Sequence, residues 1–147
     1  MAKRPPRPPG MPWLSPYFTV RDAAAARDFY RRAFGLEPKF EMPGPDGKLA
    51  HVEMSWHDQV IMFGPEGPTT PAKAPATSGV PAPMGLFLYC DDVDALYARA
   101  TAAGAKGVEP PRDMFWGDRT CRLLDPDGHS WAFGTNVADF DLSKVPQ

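Results

Sequence analysis

The feature that most constrains this chain is a faint internal repeat. FTVRDAAAARDFYRRAFG (Phe18–Gly35) resembles LYCDDVDALYARATAAG (Leu88–Gly104). Each copy opens on an apolar strand end, meets an aspartate (Asp22 or Asp92), runs through a helical pattern and closes on a glycine. The physics agrees in both: the aspartate caps the first free N–H groups, alanine favours helix, and Gly35 or Gly104 supplies the left-handed stop. Phe29, Tyr30, Ala33 and Phe34 give the first helix an apolar face. Val93, Leu96, Tyr97 and Ala100 do so for the second.

Short strand signals follow each helix. They are Glu37–Glu41, Leu49–Trp56 and Val60–Gly64 in the first half, and Gly107–Glu109, Arg119–Leu124 and Ser130–Thr135 in the second. The turns are GPDGK, HDQ and DPDG. Each half thus reads β-α-β-β-β. A unit this small leaves one sheet face open, so two must pair to bury a core. The expected fold is α+β, with two tandem β-α-β-β-β modules of mixed sheet sharing a core.

Proline marks the boundaries. Of 19 prolines, five fall between Pro5 and Pro12 and six between Pro65 and Pro83. Residues 1–12 read as a basic, polyproline-like tail unable to order itself. The first module spans 13–64, a proline-rich linker or exposed excursion 65–84, the second module 85–136, and a C-terminal tail 137–147. Within 147 residues, 43% hydrophobic content is enough to fill one shared core. A net charge of −2 leaves no electrostatic footprint for nucleic acid or an anionic membrane. No apolar run reaches the ~20 residues of a bilayer span, and the basic N-terminus lacks a signal peptide's apolar stretch. The expectation is a cytoplasmic protein without nucleic-acid or membrane partners. Cys90 and Cys121 lie in strand-like runs and read as reduced thiols packed as small hydrophobes.

Three segments in order, PYFTVRDAAAARDFYRRAFGLEP, CDDVDALYARATAAGA and RLLDPDGHSWAF, resemble the glyoxalase/bleomycin resistance protein/dioxygenase (vicinal oxygen chelate) superfamily. The run MFWGDR before DPDGH further resembles its PhnB-like subgroup. The resemblance covers about Leu14 to Asn136 and implies paired modules around a cavity, often in homodimers. It also implies where metal-dependent members carry ligands: at Ser15, Met62, Gly85 and Ala132 in this numbering. Glycine and alanine offer no side-chain donor, a thioether suits a hard ion poorly, and no His, Asp or Glu lies within one residue of these positions. The resemblance therefore implies a member without the usual metal or other cofactor.

Asp125, Asp127 and His129 alternate in RLLDPDGHSWAF, a spacing that metal ligands also use. Asp-Pro-Asp-Gly, however, puts proline and glycine where a hairpin turn requires them. The aspartates then cap backbone N–H groups, and their replacement by asparagine is expected to cost about 1 kcal/mol or less. His129 reads as an exposed or edge polar residue.

Two other places carry candidate chemistry. Alternation along AHVEMSW sets His51, Glu53 and Ser55 on one strand face, which either lines the cavity or faces solvent. In the cavity, His51 and Glu53 act as a base with an orienting carboxylate, or bind a polar ligand. In DMFWGDRTCR, Trp116 beside Arg119 suits a flat ligand bearing an anionic group. The competing reading pairs Asp118 with Arg119 locally while Trp116 closes the core or a dimer interface. Trp131 is read as core on one face and is also a ligand-binding candidate, and Ala132 beside it leaves space where the resemblance implies a metal-binding carboxylate in metal-dependent members. The leading function is metal-free binding of an antibiotic-like molecule or metabolite. The alternative is a superfamily enzyme (glyoxalase-like lyase, isomerase or ring-cleaving dioxygenase) with a displaced or absent metal site. A structural or regulatory dimer whose proline tail binds a partner is the third.

Overall fold

Both long helices begin at the aspartates that sequence assigns to them. In the computed structural model, which describes residues 3–68 and 70–146, Asp22 accepts the Ala25 amide at 2.8 Å and Asp92 that of Ala95 at 3.0 Å. Helix α1 covers Ala23–Phe34 and ends at Gly35, whose φ of +79° is the left-handed stop. The second repeat ends differently. Its helix (Val93–Ala102) stops at Ala103 in the right-handed region, and Gly104, at φ +110°, turns the chain one residue later. The Ala103 N–H is already satisfied by carbonyls of the preceding turn, so no left-handed cap is needed there.

The chain forms two compact units. One comprises residues up to Arg31 with Gly35–Lys73, the other Arg32–Phe34 with Ala74 onward. The first unit holds β1 (Tyr17–Val20), β2 (Glu37–Pro43), β3 (Leu49–Trp56) and β4 (Gln59–Pro65), in the order β1-β4-β3-β2. β1 runs parallel to β4 and the other pairs are antiparallel. α1 covers one sheet face, where Val52, Met54 and Phe63 are fully buried and Tyr30 meets Phe63 edge to face at 5.3 Å.

The second unit repeats this plan after a four-residue helix, α2 (Pro75–Ser78). Its strands are β5 (Gly85–Tyr89), β6 (Lys106–Asp113), β7 (Asp118–Leu124) and β8 (Ser130–Asn136), in the order β5-β8-β7-β6, with α3 (Val93–Ala102) between β5 and β6. Phe34, from the last turn of α1, packs here on Trp131 and Phe133, each at 4.9 Å. Part of the proline-rich stretch is docked: Ala74 is fully buried and the Ala76 N–H donates to Asp127 O at 2.8 Å.

Both β2 and β6 run longer than their sequence signals. Each is an edge strand, and each absorbs prolines at shifts in register: beside Pro38 and Pro43 in β2, and across Pro110–Pro111 in β6. A residue without an N–H is tolerated only where no ladder bond is required of it. No helix among the described residues is long and apolar enough to cross a membrane.

Cys90 and Cys121 are free thiols. Cys121 is buried in β7, and desolvation pushes its pKa up to about 11. We expect a thiol-specific aromatic disulfide at pH 8 to label Cys121 only at the rate of unfolding, and promptly in denaturant. Because the folded state holds this proton more tightly, the group's stabilising contribution is complete below the ordinary thiol pKa and fades as pH rises through about 11. Rapid native labelling would show that this part of β7 opens locally.

Candidate functional site

The first sheet turns a row of unlike side chains to the face opposite α1. Register aligns Tyr17 with Met62, Met62 with Glu53 and Glu53 with Phe40, one residue from each strand. His51, two residues before Glu53, shares the face, and each of the two side chains keeps 17% exposure. His51 Nε2 lies 3.2 Å from a Glu53 carboxylate oxygen, and Nδ1 lies 3.3 Å from the Tyr17 hydroxyl. A carboxylate only accepts, so a neutral imidazole satisfies both contacts with its proton on Nε2, leaving Nδ1 to accept from Tyr17. The Tyr17 ring stacks on the imidazole at 5.6 Å and Phe40 leans on it at 6.2 Å.

Gly64 makes room for this arrangement. A Cβ there would stand 2.8 Å from the Tyr17 hydroxyl and 2.9 Å from Ala50 O, so a larger residue displaces the phenol from His51. Chemically, the result is an imidazole held between a carboxylate and a phenol, able to bind a polar group or move a proton.

Beside Glu53 lies a pocket of about 750 Å³. Ser15, Phe40, Glu53 and Met62 contribute from the sheet and its approach, while Lys39 and the segment Arg7–Trp13 form another side. Ser15 Oγ is buried without a hydrogen-bond partner among the described residues. The sequence reading gives Tyr17 and Phe40 no site role and takes residues 1–12 for a tail outside the folded part. The signal for Tyr17 was the alternation that puts it on the same face as Ser15; nothing local announces the segment.

The remaining candidates lie in the second unit and have other partners. Trp116 donates its indole N–H to Asp118 at 3.0 Å. Buried Asp118 also accepts from the Tyr89 hydroxyl at 2.8 Å and from Asn136 at 3.0 Å. Arg119 does not pair with Asp118: it makes a two-pronged bond to Asp94 (2.7 and 3.0 Å) and a third to Asp113 at 3.0 Å. These bonds raise the Arg119 pKa and hold Asp94 below the usual carboxylate range. Trp131 has no exposed surface, and its N–H donates to Asp125 at 2.9 Å.

The Asp125–His129 stretch is a turn. Asp125 Oδ1 accepts the amides of Asp127 and His129, both at 2.9 Å, while Gly128 reverses the chain at φ +85°. Asp125 is only 4% exposed, so the small cost expected from sequence is too low for this residue. In Asp125→Asn one set of donors, the two amides or the indole, faces an NH₂ group. We expect a loss of about 1–3 kcal/mol in urea unfolding. A smaller loss would mean that water reaches the turn.

Of the positions that the resemblance implies for metal ligands, Ser15 and Met62 offer only a hydroxyl and a thioether, and Gly85 and Ala132 offer no side-chain donor. His51 and Glu53 form a pair without a third acidic, histidine or cysteine partner among the described residues.

Comparison with known proteins agrees with this fold. The profile of the Glyoxalase/Bleomycin resistance protein/Dioxygenase superfamily matches residues 12–133. An uncharacterized protein of Mycobacterium bovis is 36% identical over 141 residues, covering 91% of this chain and 90% of its own length. Crystal structures of TioX from Micromonospora sp. (27% identity, TM-score 0.66, covering 84% and 98% of the two chains) and of TnmS3, an antibiotic binding protein from Streptomyces sp. (27%, 0.57, 82% and 93%), are similar. On the profile match and the shared fold, this chain belongs to the glyoxalase/bleomycin resistance protein/dioxygenase superfamily.

Proposed function

We propose that the protein binds a small molecule, antibiotic-like or a metabolite, on the open face of its first sheet, without the family's usual metal. The observation that carries this reading is the pocket at Glu53. There a hydrogen-bonded Tyr17–His51–Glu53 group adjoins a Ser15 hydroxyl that has no partner among the described residues, with Phe40 and Met62 as apolar surroundings. Sites of this kind combine apolar walls with a few placed polar groups. Similarity to an antibiotic binding protein supports the same direction. Trp116, Arg119 and Trp131 stand outside the proposed site, because their polar atoms are taken up by Asp118, by Asp94 and Asp113, and by Asp125.

The test is a thermal-shift screen of aromatic antibiotics and metabolites, followed by calorimetry on His51→Ala and Glu53→Ala. We expect each variant to bind the best hit about tenfold more weakly while still unfolding cooperatively, with the urea midpoint lowered only modestly by the lost hydrogen bonds. Undiminished affinity in both variants would move the site elsewhere.

A second reading rests on the 3.2 Å His51–Glu53 contact, which has the geometry of a base with its orienting carboxylate. Under it the protein is a superfamily lyase, isomerase or dioxygenase. Stoichiometric uptake of Zn, Ni, Mn or Fe, or turnover abolished by His51→Ala, would favour it over simple binding.

A further inference from the structure

One side of the Glu53 pocket comes from a segment that the sequence places outside the folded part. Lys39 Nζ on β2 donates to Gly10 O at 3.0 Å and lies 3.2 Å from Met11 Sδ. Arg7 donates to the Met11 carbonyl, and its guanidinium sits 4.8 Å from the centroid of the Trp13 ring. Pro8, Pro9 and Pro12 stiffen the backbone between these anchors, so holding the segment in place costs less chain entropy than it would for a flexible tail.

This wall divides the pocket into two chemistries. Toward the sheet, Glu53 can only accept, and the buried Ser15 Oγ has no partner among the described residues. Toward the segment, Arg7 and Lys39 carry positive charge and more N–H donors than the bonds above use. The rings of Phe40 and Trp13 and the thioether of Met62 line the same pocket, surfaces suited to a flat π-system. Resting on the binding reading above, we infer that the pocket takes a flat aromatic molecule with a hydroxyl or amine donor at one end and an acidic oxygen group at the other. The amino-terminal segment and Lys39 recognise the acidic end, and Glu53 the donor end.

Three naphthalene probes separate these contributions: 6-hydroxy-2-naphthoic acid has both groups, 2-naphthoic acid lacks the hydroxyl, and 2-naphthol lacks the acid. Each is titrated calorimetrically into the full chain, an Arg7→Ala/Lys39→Ala variant and Glu53→Gln. The two-ended probe should bind the full chain about tenfold more tightly than either single-ended probe. The double variant should weaken both acids about fivefold and leave 2-naphthol unchanged, while Glu53→Gln should weaken the two hydroxyl-bearing probes and spare 2-naphthoic acid. Equal effects of the double variant on all three probes, or none, would overturn the inference. The binding reading would then stand if Glu53→Gln still weakens the hydroxyl-bearing probes. Failure of the full chain to bind any of the three overturns the ligand class, and the screen for other compounds then decides the binding reading separately.

Discussion

Replacing Trp131 by alanine should lower the free energy of unfolding by about 3–5 kcal/mol, as for a large aromatic removed from a closed core. The side chain has no exposed surface, lies 4.9 Å from Phe34 and stacks on Phe133 at 6.3 Å. Its removal leaves a cavity and also takes a donor from the buried Asp125 carboxylate. Trp131→Phe separates the two contributions: it keeps most of the apolar bulk and loses only the N–H, so about 1–2 kcal/mol is expected. Urea unfolding of both variants measures this. If Trp131→Ala unfolds like the parent protein yet weakens ligand binding, the indole belongs to a ligand site after all.

Gly117→Ala should destabilise by about 3 kcal/mol or more, from two additive causes. Gly117 sits at φ +97°, where an L side chain costs roughly 1–2 kcal/mol. A Cβ there also collides with the carbonyl of Ala138 and crowds the backbone of Asp139, neither of which is a flexible side-chain end. The contact is close because Gly117 O accepts the amides of both Val137 and Ala138 at 2.9 Å, pinning the chain after β8 onto the β6–β7 turn. Urea unfolding checks the value. Faster proteolysis after residue 136 would show the same pin released. A loss under 1 kcal/mol would mean the segment moves aside easily, and the pin is then not a structural one.

What was legible in the sequence was whatever depends on near neighbours. Asp22 and Asp92 bond three residues ahead, and the alternation His51, Val52, Glu53, Met54 needs only the pleat. The pairing of His51 with Glu53 was legible too, but partners that come from far along the chain were not. Arg119 is held by Asp94, 25 residues away, rather than by its neighbour Asp118. Lys39 secures a segment 29 residues upstream, so a stretch that looks unable to order itself acquires a partner. Tyr17 reaches His51, 34 residues on, only because Gly64 has no Cβ in the way. The α2 helix did leave local marks, a proline at its first position and Gly79 at its end, but a four-residue element inside a proline-rich run carries no periodicity to detect.

The prolines at the register shifts of β2 and β6 bear on how the protein behaves in a crowded solution. Each sheet ends on one of these strands, and an unpaired strand edge is a template on which other chains can add. Pro38 and Pro43 on one edge, and Pro110 and Pro111 on the other, present no N–H to an incoming strand and bend the ladder where it would have to continue. Strand-by-strand growth into fibres is therefore hindered along these two borders by the backbone itself, apart from any contribution of the charged side chains there. Raising the salt, which would remove a barrier made of like charges, should leave this resistance to fibrillation in place.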